Sequence, residues 1–492
     1  MSAPLRHRHA VLSLTLAGAL GGCAAVGPDF VRPAPPTTPG YSAAGETGPD
    51  SQQIQLGQAV TGRWWDYFGS AELDGVMRLA VANNPSLAAA DATLAAAQAQ
   101  IRATQAEASP QLNGTAGISG QRLNLSSFGF DASSFPGLNP NPTFALYSVG
   151  LAASYSIDPF GLNKRQVEGA SARAETLAHQ ADAAYLTLTG NVAVQAAYIA
   201  AARAEIATVQ EIIADDQRMI ELARTAQALG GEAETPRVSA QAQMAADNSR
   251  LPSLRQDLAN ARHALSLLVG KAPADWSPPD FDLARLTLPP RIPLSLPSEL
   301  VRQRPDILAA EARLHAATAD VGVATAKLYP SLDLTAALTQ SNLSIPTLFT
   351  SQGTSGSLAA QLAGPLFDGG RRRAEREAMR ETARAALATY QATVVQAFGQ
   401  VADLLQALAQ DEEALAAQGQ ARDAAAASLR LARAAYQGGA SGLLPVVDAE
   451  RQFNTARLEY VRTEAQRYVH TVQLFVATGS GLRDAKPAAP AV

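Results

Sequence analysis

The sequence predicts a mixed α and β membrane protein built from a helix, a β-hairpin, a long helix and a second helix, all written twice. Three observations predict it. First, residues 85–116 recur at 305–336 without a gap, with thirteen of 32 aligned positions identical, including Pro85 and Pro305, Leu94 and Leu314, and Pro110 and Pro330. The match resumes where Phe160 and Lys164-Arg165 align with Phe367 and Arg371-Arg372, and where Gly270 aligns with Gly479. Second, the hydrophobic period in each copy switches from helical to two and back again. Third, two helical stretches run for about 66 residues, which at about 1.5 Å per residue is roughly 100 Å. A duplicated unit implies pseudo-symmetry and assembly around an axis.

The chain has 492 residues, 5% aromatics and a net charge of −5. Scarce aromatics and abundant Ala suit long, closely packed helices. No basic stripe interleaves with aromatics, so nucleic acid is not an expected partner.

Residues 1–22 read as a lipoprotein signal peptide. Arg6 to His9 form a basic start, and Ala10 to Leu20 form an apolar stretch too short to span a bilayer as a helix. The stretch ends in Leu20-Gly21-Gly22-Cys23, a bacterial lipobox, with Cys23 the only cysteine. A covalent lipid on Cys23 is therefore expected, with no other cofactor. Ala24 stands where inner-membrane retention typically uses Asp, so sorting to the outer membrane is expected. Residues 23–71 are rich in Pro, Gly, Ser and Thr and read as an extended, mostly irregular arm. It closes on Trp64-Trp65-Asp66-Tyr67-Phe68.

The first repeat spans 72–270. A helix runs from about Glu72 to Ser109 and stops at Pro110. A hairpin follows at about 111–157, in which Leu112, Gly114, Ala116 and Ile118 alternate with Asn113, Thr115, Gly117 and Ser119. In its return strand Tyr147, Val149, Leu151, Ala153, Tyr155 and Ile157 alternate with small polar residues. This is the apolar-out, polar-in pattern of a transmembrane barrel strand. The long helix runs from about Lys164 to Leu229. Ile199, Ala202, Ile206, Val209, Ile213 and Ile220 form its coiled-coil seam, with Asp216 filling one slot. Gly230-Gly231 turn the chain into a helix over 236–269, opened by Pro236.

A Pro-rich linker, 271–297, leads to the second repeat, 298–479. Its hairpin lies at about 331–366, its long helix at 371–437 with Val394, Phe398, Val401, Leu405 and Leu408 as the seam, and its return helix at 445–478. Residues 480–492 form a tail. In each repeat the two short helices sum to the length of the long one, so they are expected to stack end to end beside it. Four strands per chain cannot close a membrane barrel, because open edges in lipid leave backbone groups unpaired. Three chains would supply twelve.

The order of the lipobox, Trp64-Trp65 with Phe68, Arg304-Pro305-Asp306, Tyr329-Pro330-Ser331, Phe367-Asp368-Gly369-Gly370-Arg371 and Asp448-Ala449-Glu450-Arg451 resembles the TolC-like outer-membrane factors. The similarity covers about residues 20–480 and is greatest to the lipoprotein branch serving resistance-nodulation-division efflux systems. The resemblance implies a homotrimer with a 12-stranded β-barrel continuous with a long periplasmic α-helical barrel. It also implies a periplasmic adaptor and an inner-membrane proton-driven transporter as partners, outer-membrane lipid around the strands, and no catalysis. Such channels narrow at the tip of the second repeat. The matching positions are Leu444 and Asp448, four apart on one helical face, with Arg451 three residues on and able to pair with a neighbour, and Tyr436 just before the Gly turn. Three copies would give an apolar ring and an acidic ring, and Ser239 stands where the first repeat would need a second acid.

The same fold serving type I protein secretion or metal export is the first alternative. A lipidated coiled-coil adaptor is the second, but it would need Gly/Val-rich lipoyl-like and β-barrel blocks that do not occur here. The six histidines show no metal spacing outside the leader, and no acid, base and nucleophile cluster suggests an enzyme.

Overall fold

The computed structural model describes residues 25–43, 48–49, 52–58, 60, 63–128, 139–479 and 481. Cys23 lies outside the described residues. The chain divides into two compact units.

The first unit holds Ala95–Glu175, Glu311–Ala388 and the arm up to Arg32. Its centre is a four-stranded antiparallel sheet of β2 (Gln111–Arg122), β3 (Thr143–Ile157), β5 (Ser331–Asn342) and β6 (Thr354–Ala363), in the order β2-β3-β5-β6. The register joins the alternating patterns of all four strands. Leu112 faces Ala153, Gly114 faces Leu151, Leu151 faces Leu338, Tyr155 faces Leu334, and Leu332 faces Leu362. One face is therefore apolar through Ile118, Tyr147 and Leu338, and turns polar only toward the loops at Gln340, Asn342 and Thr354. The other carries Asn113, Thr115, Ser148, Ser154, Thr335, Thr339, Ser355 and Ser357. The apolar face is open to its surroundings: Leu112 and Ile118 are each 70% exposed and Leu358 is 85% exposed. A soluble sheet would bury one of its faces; this one buries neither.

An aspartate starts each long helix after its hairpin. Asp158 accepts from the backbone N–H of Leu162 at 2.6 Å and of Lys164 at 3.2 Å, at the head of α3 (Leu162–Ala228). Asp368 accepts from Gly370 at 2.9 Å and Arg372 at 3.2 Å, at the head of α8 (Arg371–Gln437). These backbone donors, Arg372 foremost, hold the Asp368 carboxyl below the usual carboxylate range. The arm is strapped to the head of α3. Val26 donates to the Phe160 carbonyl at 3.0 Å, and the buried Arg165 donates to the Val26 carbonyl at 3.2 Å and pairs with Asp29 at 2.7 Å. Phe30 stacks on His315 at 4.4 Å, and Arg32 pairs with Glu311 at 2.6 Å.

The second unit holds Pro33–Leu94, Thr176–Ala310 and the chain from Thr389 onward. Its core collects Trp64, Phe68, Met77, Ile199, Leu265, Ile292, Leu300, Ile307 and Phe475. Trp64 stacks on Phe475 at 5.7 Å. The helix expected over 72–109 is two helices here, α1 (Ala71–Asn83) and α2 (Pro85–Glu107). Its counterpart is likewise α6 (Pro297–Gln303) and α7 (Pro305–Ala326). The breaks fall at Asn84 and Arg304, each extended because a proline follows and disfavours the helical region. The first return helix also divides, into α4 (Thr235–Asn248) and α5 (Arg250–Leu268). Pro252 has no N–H to offer the Asn248 carbonyl. The second return helix, α9 (Leu444–Ala477), is continuous.

The arm and linker are more ordered than their composition suggested. Gln53–Leu56 (β1) pairs in parallel with Arg291–Leu294 (β4), so Ile54 lies beside Ile292. A four-residue parallel pair separated by more than two hundred residues leaves no local period to read. The α3 seam also shifts. Ile199, Ala202, Val209 and Asp216 are buried as expected, but Ile212 and Met219 are buried in place of Ile213 and Ile220. The α8 seam is buried at Val394, Val401, Leu405 and Leu408.

The short helices stack end to end. The Asn84 side chain donates to the Leu268 carbonyl at the end of α5 and accepts from Leu87 N–H at the start of α2, at 2.9 and 3.0 Å. Arg304 donates to the Ala477 carbonyl at the end of α9 at 2.9 Å.

Candidate functional site

The site suggested by the sequence lies where α3 turns into α4 and α8 into α9. Both turns close alike. Gly231 N–H reaches the Ala226 carbonyl and Gly230 N–H the Gln227 carbonyl; Ala440 and Gly439 repeat this onto Ala435 and Tyr436. This is the Schellman ending, which needs a left-handed residue, and Gly230 and Gly439 have φ of 76° and 68°. Proline enters the first turn of both α4 and α9. The two turns are then tied together: Glu232 of the first accepts the Leu443 N–H of the second at 2.8 Å. A carboxylate there satisfies an orphan donor and complements the helix N-terminus.

Leu444, Asp448 and Arg451 lie along the first two turns of α9. Leu444 is 39% exposed. Asp448 and Arg451 are both half-exposed and lie 3.4 Å apart. Within the chain, Arg451 thus faces the carboxylate one turn before it on the same helix. Tyr436 does not join this group; it packs against the cluster containing Val446 and Val447. It lines a cavity of about 470 Å³ with Arg433, Glu450 and Met219.

The sequence reading missed two features. One is Glu232, an acid in a polar turn with no spacing to mark it. The other is the buried Glu450, which meets Arg433 at 3.0 Å across the α8–α9 turn. Burial raises the Glu450 carboxyl while Arg433 opposes the shift. Among the described residues, no group of His, Cys, Asp and Glu is placed to hold a metal ion.

Comparison with known proteins decides the family. The model of the outer membrane efflux protein family matches residues 76–271 and 296–480. The chain belongs to this family. It is 32% identical over 478 residues to the outer membrane protein OprJ of Pseudomonas aeruginosa, covering 96% of this chain and 95% of OprJ. It is 31% identical over 447 residues to the pyoverdine export outer membrane protein OpmQ of the same species, covering 90% of both. It is 26% identical to the probable outer membrane lipoprotein SilC of Salmonella typhimurium, over 96% of this chain and 98% of SilC.

Among solved structures, the outer-membrane channel OprN superposes with a TM-score of 0.81 at 25% identity, over 93% of this chain and 99% of OprN. The open state of the Neisseria gonorrhoeae MtrE channel gives 0.81 at 26% identity, over 93% and 99%. This efflux protein is thus an outer-membrane channel protein of the efflux class. Its family consists of channels rather than enzymes.

Proposed function

We propose that this efflux protein works as a homotrimer, the passive outer-membrane duct of a tripartite pump. A periplasmic adaptor would join it to an inner-membrane resistance-nodulation-division transporter, and small toxic molecules would leave through it. The observation that carries the reading is the sheet. Its one face is apolar and exposed, its other face is small and polar, and among the described residues β2 and β6 each pair on one side only. Pairing β6 of one copy with β2 of the next removes both edges, and three copies close a 12-stranded barrel. The small polar residues then line a lumen continuous with the long periplasmic α-helical barrel built from the helices.

Lipidation at Cys23 belongs to the same reading. The strap of Val26, Asp29 and Arg165 fixes the chain three residues beyond Cys23 beside the head of α3, next to the end of β3. That position suits an anchor in the membrane leaflet beside the barrel. Leu444, Asp448, Arg451 and Tyr436 form or support the gate at the far turn. Export of metal ions is the second reading, favoured by 27% identity to the cation efflux system protein CusC of Escherichia coli, over 96% of this chain.

Native mass spectrometry in detergent, joined to planar-bilayer recording, tests the assembly. Three copies and a steady ohmic conductance are expected. A stable monomer that conducts fully would overturn the proposal.

A further inference from the structure

Asp216 occupies an apolar slot of the α3 seam and is 4% exposed. Its surroundings follow from the layers on either side. On one side Val209 packs with Leu254 of α5 and Leu458 of α9. On the other, Met219 and Ala223 pack with Ala240 of α4 and Val446 and Val447 of α9. Between these apolar layers the helical rise places Asp216 on α3, Asp247 on α4, and Glu450 and Asn454 on α9. Asp247, Glu450 and Asn454 are 1%, 3% and 3% exposed. Four buried polar side chains therefore share one stratum of an otherwise apolar bundle.

Their hydrogen bonding is incomplete. Asp216 Oδ2, Glu450 Oε2 and both amide atoms of Asn454 are buried without a partner. Buried polar groups are normally satisfied, so each orphan needs a reason. The charges around Asp216 are uneven. Asp247 takes a hydrogen bond from Gln243 at 2.6 Å and lies 3.4 Å from Arg250. Glu450 has Arg433, and the neighbouring Asp215 has Arg218 and Arg457. Among the described residues Asp216 is paired with no cation, and its carboxyl lies beside that of Asp247. Two carboxyl groups set side by side in an apolar layer disfavour double ionisation, so the one without a cation keeps its proton. Burial first, then Asp247 and Glu450, push the Asp216 carboxyl up to about 7.

We propose that this stratum is a proton-operated fastener: one proton on Asp216, beside Asp247, keeps α3, α4 and α9 packed, and its release to solvent as the pH rises loosens them. The sign follows from linkage. The Asp216 value in the folded state lies above the ordinary 3.8. The packed state therefore binds the proton that the opened state releases. Its contribution is full below about pH 4, falls between about 4 and 7, and is spent above about 7. In that window one proton makes local opening about tenfold more frequent per pH unit. The bland role of a buried polar layer is to fix helix register. A register device has no reason to leave a carboxylate without a cation, and it predicts no pH slope. This packing lies within one chain and does not depend on the cargo.

Hydrogen–deuterium exchange on the full-length protein in detergent, from pH 5 to 8.5 and corrected for intrinsic exchange, reads the opening directly. Peptides over 209–223, 240–252 and 444–458 should open about tenfold more per pH unit up to neutrality. Peptides over 394–408 should stay flat. Asp216→Asn can donate to Asp247 without a titrating proton, so its slope should vanish and its protection at pH 8 should exceed that of wild type at pH 5 by about tenfold. If that variant fails to fold, Asp247→Asn removes one carboxyl that raises Asp216, so the upper end of the window should move to lower pH. Asn454→Leu removes the orphan amide and should raise protection at every pH with the slope intact. A flat wild-type profile, an unchanged slope in Asp216→Asn, or an unmoved window in Asp247→Asn would overturn the proposal.

Discussion

The two repeats meet the same backbone problem with different side chains. Where the return helix ends against the helix that leads to the hairpin, the first repeat uses Asn84 and the second uses Arg304. Both satisfy a terminal helix carbonyl, of Leu268 and Ala477 respectively. Both approach a left-handed glycine, Gly270 and Gly479, with φ of 70° and 68°. At either glycine an added Cβ would meet backbone, the Asn83 carbonyl oxygen at 2.4 Å or Arg304 Cα at 3.0 Å. Duplication has preserved the conformation and the missing side chain, which have no substitute. It has let the polar group drift, since any donor of the right reach will serve. At the turns the drift goes further. Thr235, Ser239 and Ala242 stand where the second repeat has Leu444, Asp448 and Arg451. At these three positions the first repeat is uncharged and the second carries the charge.

The largest effect should separate the two junctions. Arg304 reaches the Ala477 carbonyl, Gln400 and Asp306, and is itself buried. Arg304→Ala strands these partners and should cost about 3–5 kcal/mol. Asn84→Ala loses a cap and one carbonyl partner, and about 1–2 kcal/mol is expected. Apparent melting midpoints of the detergent-solubilised protein should rank the two variants in that order. Equal midpoints would mean that the arginine does no more than the asparagine, and the contrast between the junctions would fail.

A smaller effect probes the one tie between the turns. Glu232 of the first repeat caps α9 of the second, and no reciprocal bond runs from the second turn to the first among the described residues. Glu232→Ala should cost about 0.5–2 kcal/mol, the range for a lost helix cap. The loss should be local: faster amide exchange at Leu443 to Val447, with no change at Thr235 to Val238. Equal loosening of both turns would show that they behave as one unit rather than as a capped and a capping partner.

Much of this was legible before any coordinates. The repeat came from direct self-alignment. The strand faces came from period two, because a barrel strand must alternate between lipid and lumen, and the register bore out that alternation strand by strand. The breaks at Asn84 and Arg304 were also written in the chain as Asn-Pro and Arg-Pro. The apolar period runs on through both of them and masks the break. The pairing of Ile54 with Ile292 was not legible, since nothing local records a four-residue parallel contact. At the tip, Asp448 and Leu444 were identifiable as neighbours on one helical face. Glu232 was not, because a capping carboxylate in a polar loop looks like any other solvated acid.

The smallest effect in energy bears most directly on transport. The Asp448–Arg451 pair is half-exposed, and such pairs contribute about 0.2–1 kcal/mol. Removing it will barely move a melting curve. In the proposed trimer, however, three Asp448 carboxylates near one axis would repel each other, so closure would rest on Leu444 packing and on Arg451 screening the charge. Leu444→Ala with Arg451→Ala should therefore raise single-channel conductance in planar bilayers, because a marginally closed equilibrium shifts under a small bias. Asp448→Ala should lower cation selectivity, since an acidic constriction favours cations. The first repeat supplies the converse. Ser239→Asp would add three carboxylates at the neutral positions equivalent to Asp448. If those positions also face the lumen, cation selectivity should rise above wild type; if Ser239 faces away, it should not move. Selectivity unchanged by Asp448→Ala and raised by Ser239→Asp would reverse the assignment and place the narrowest ring on the first repeat.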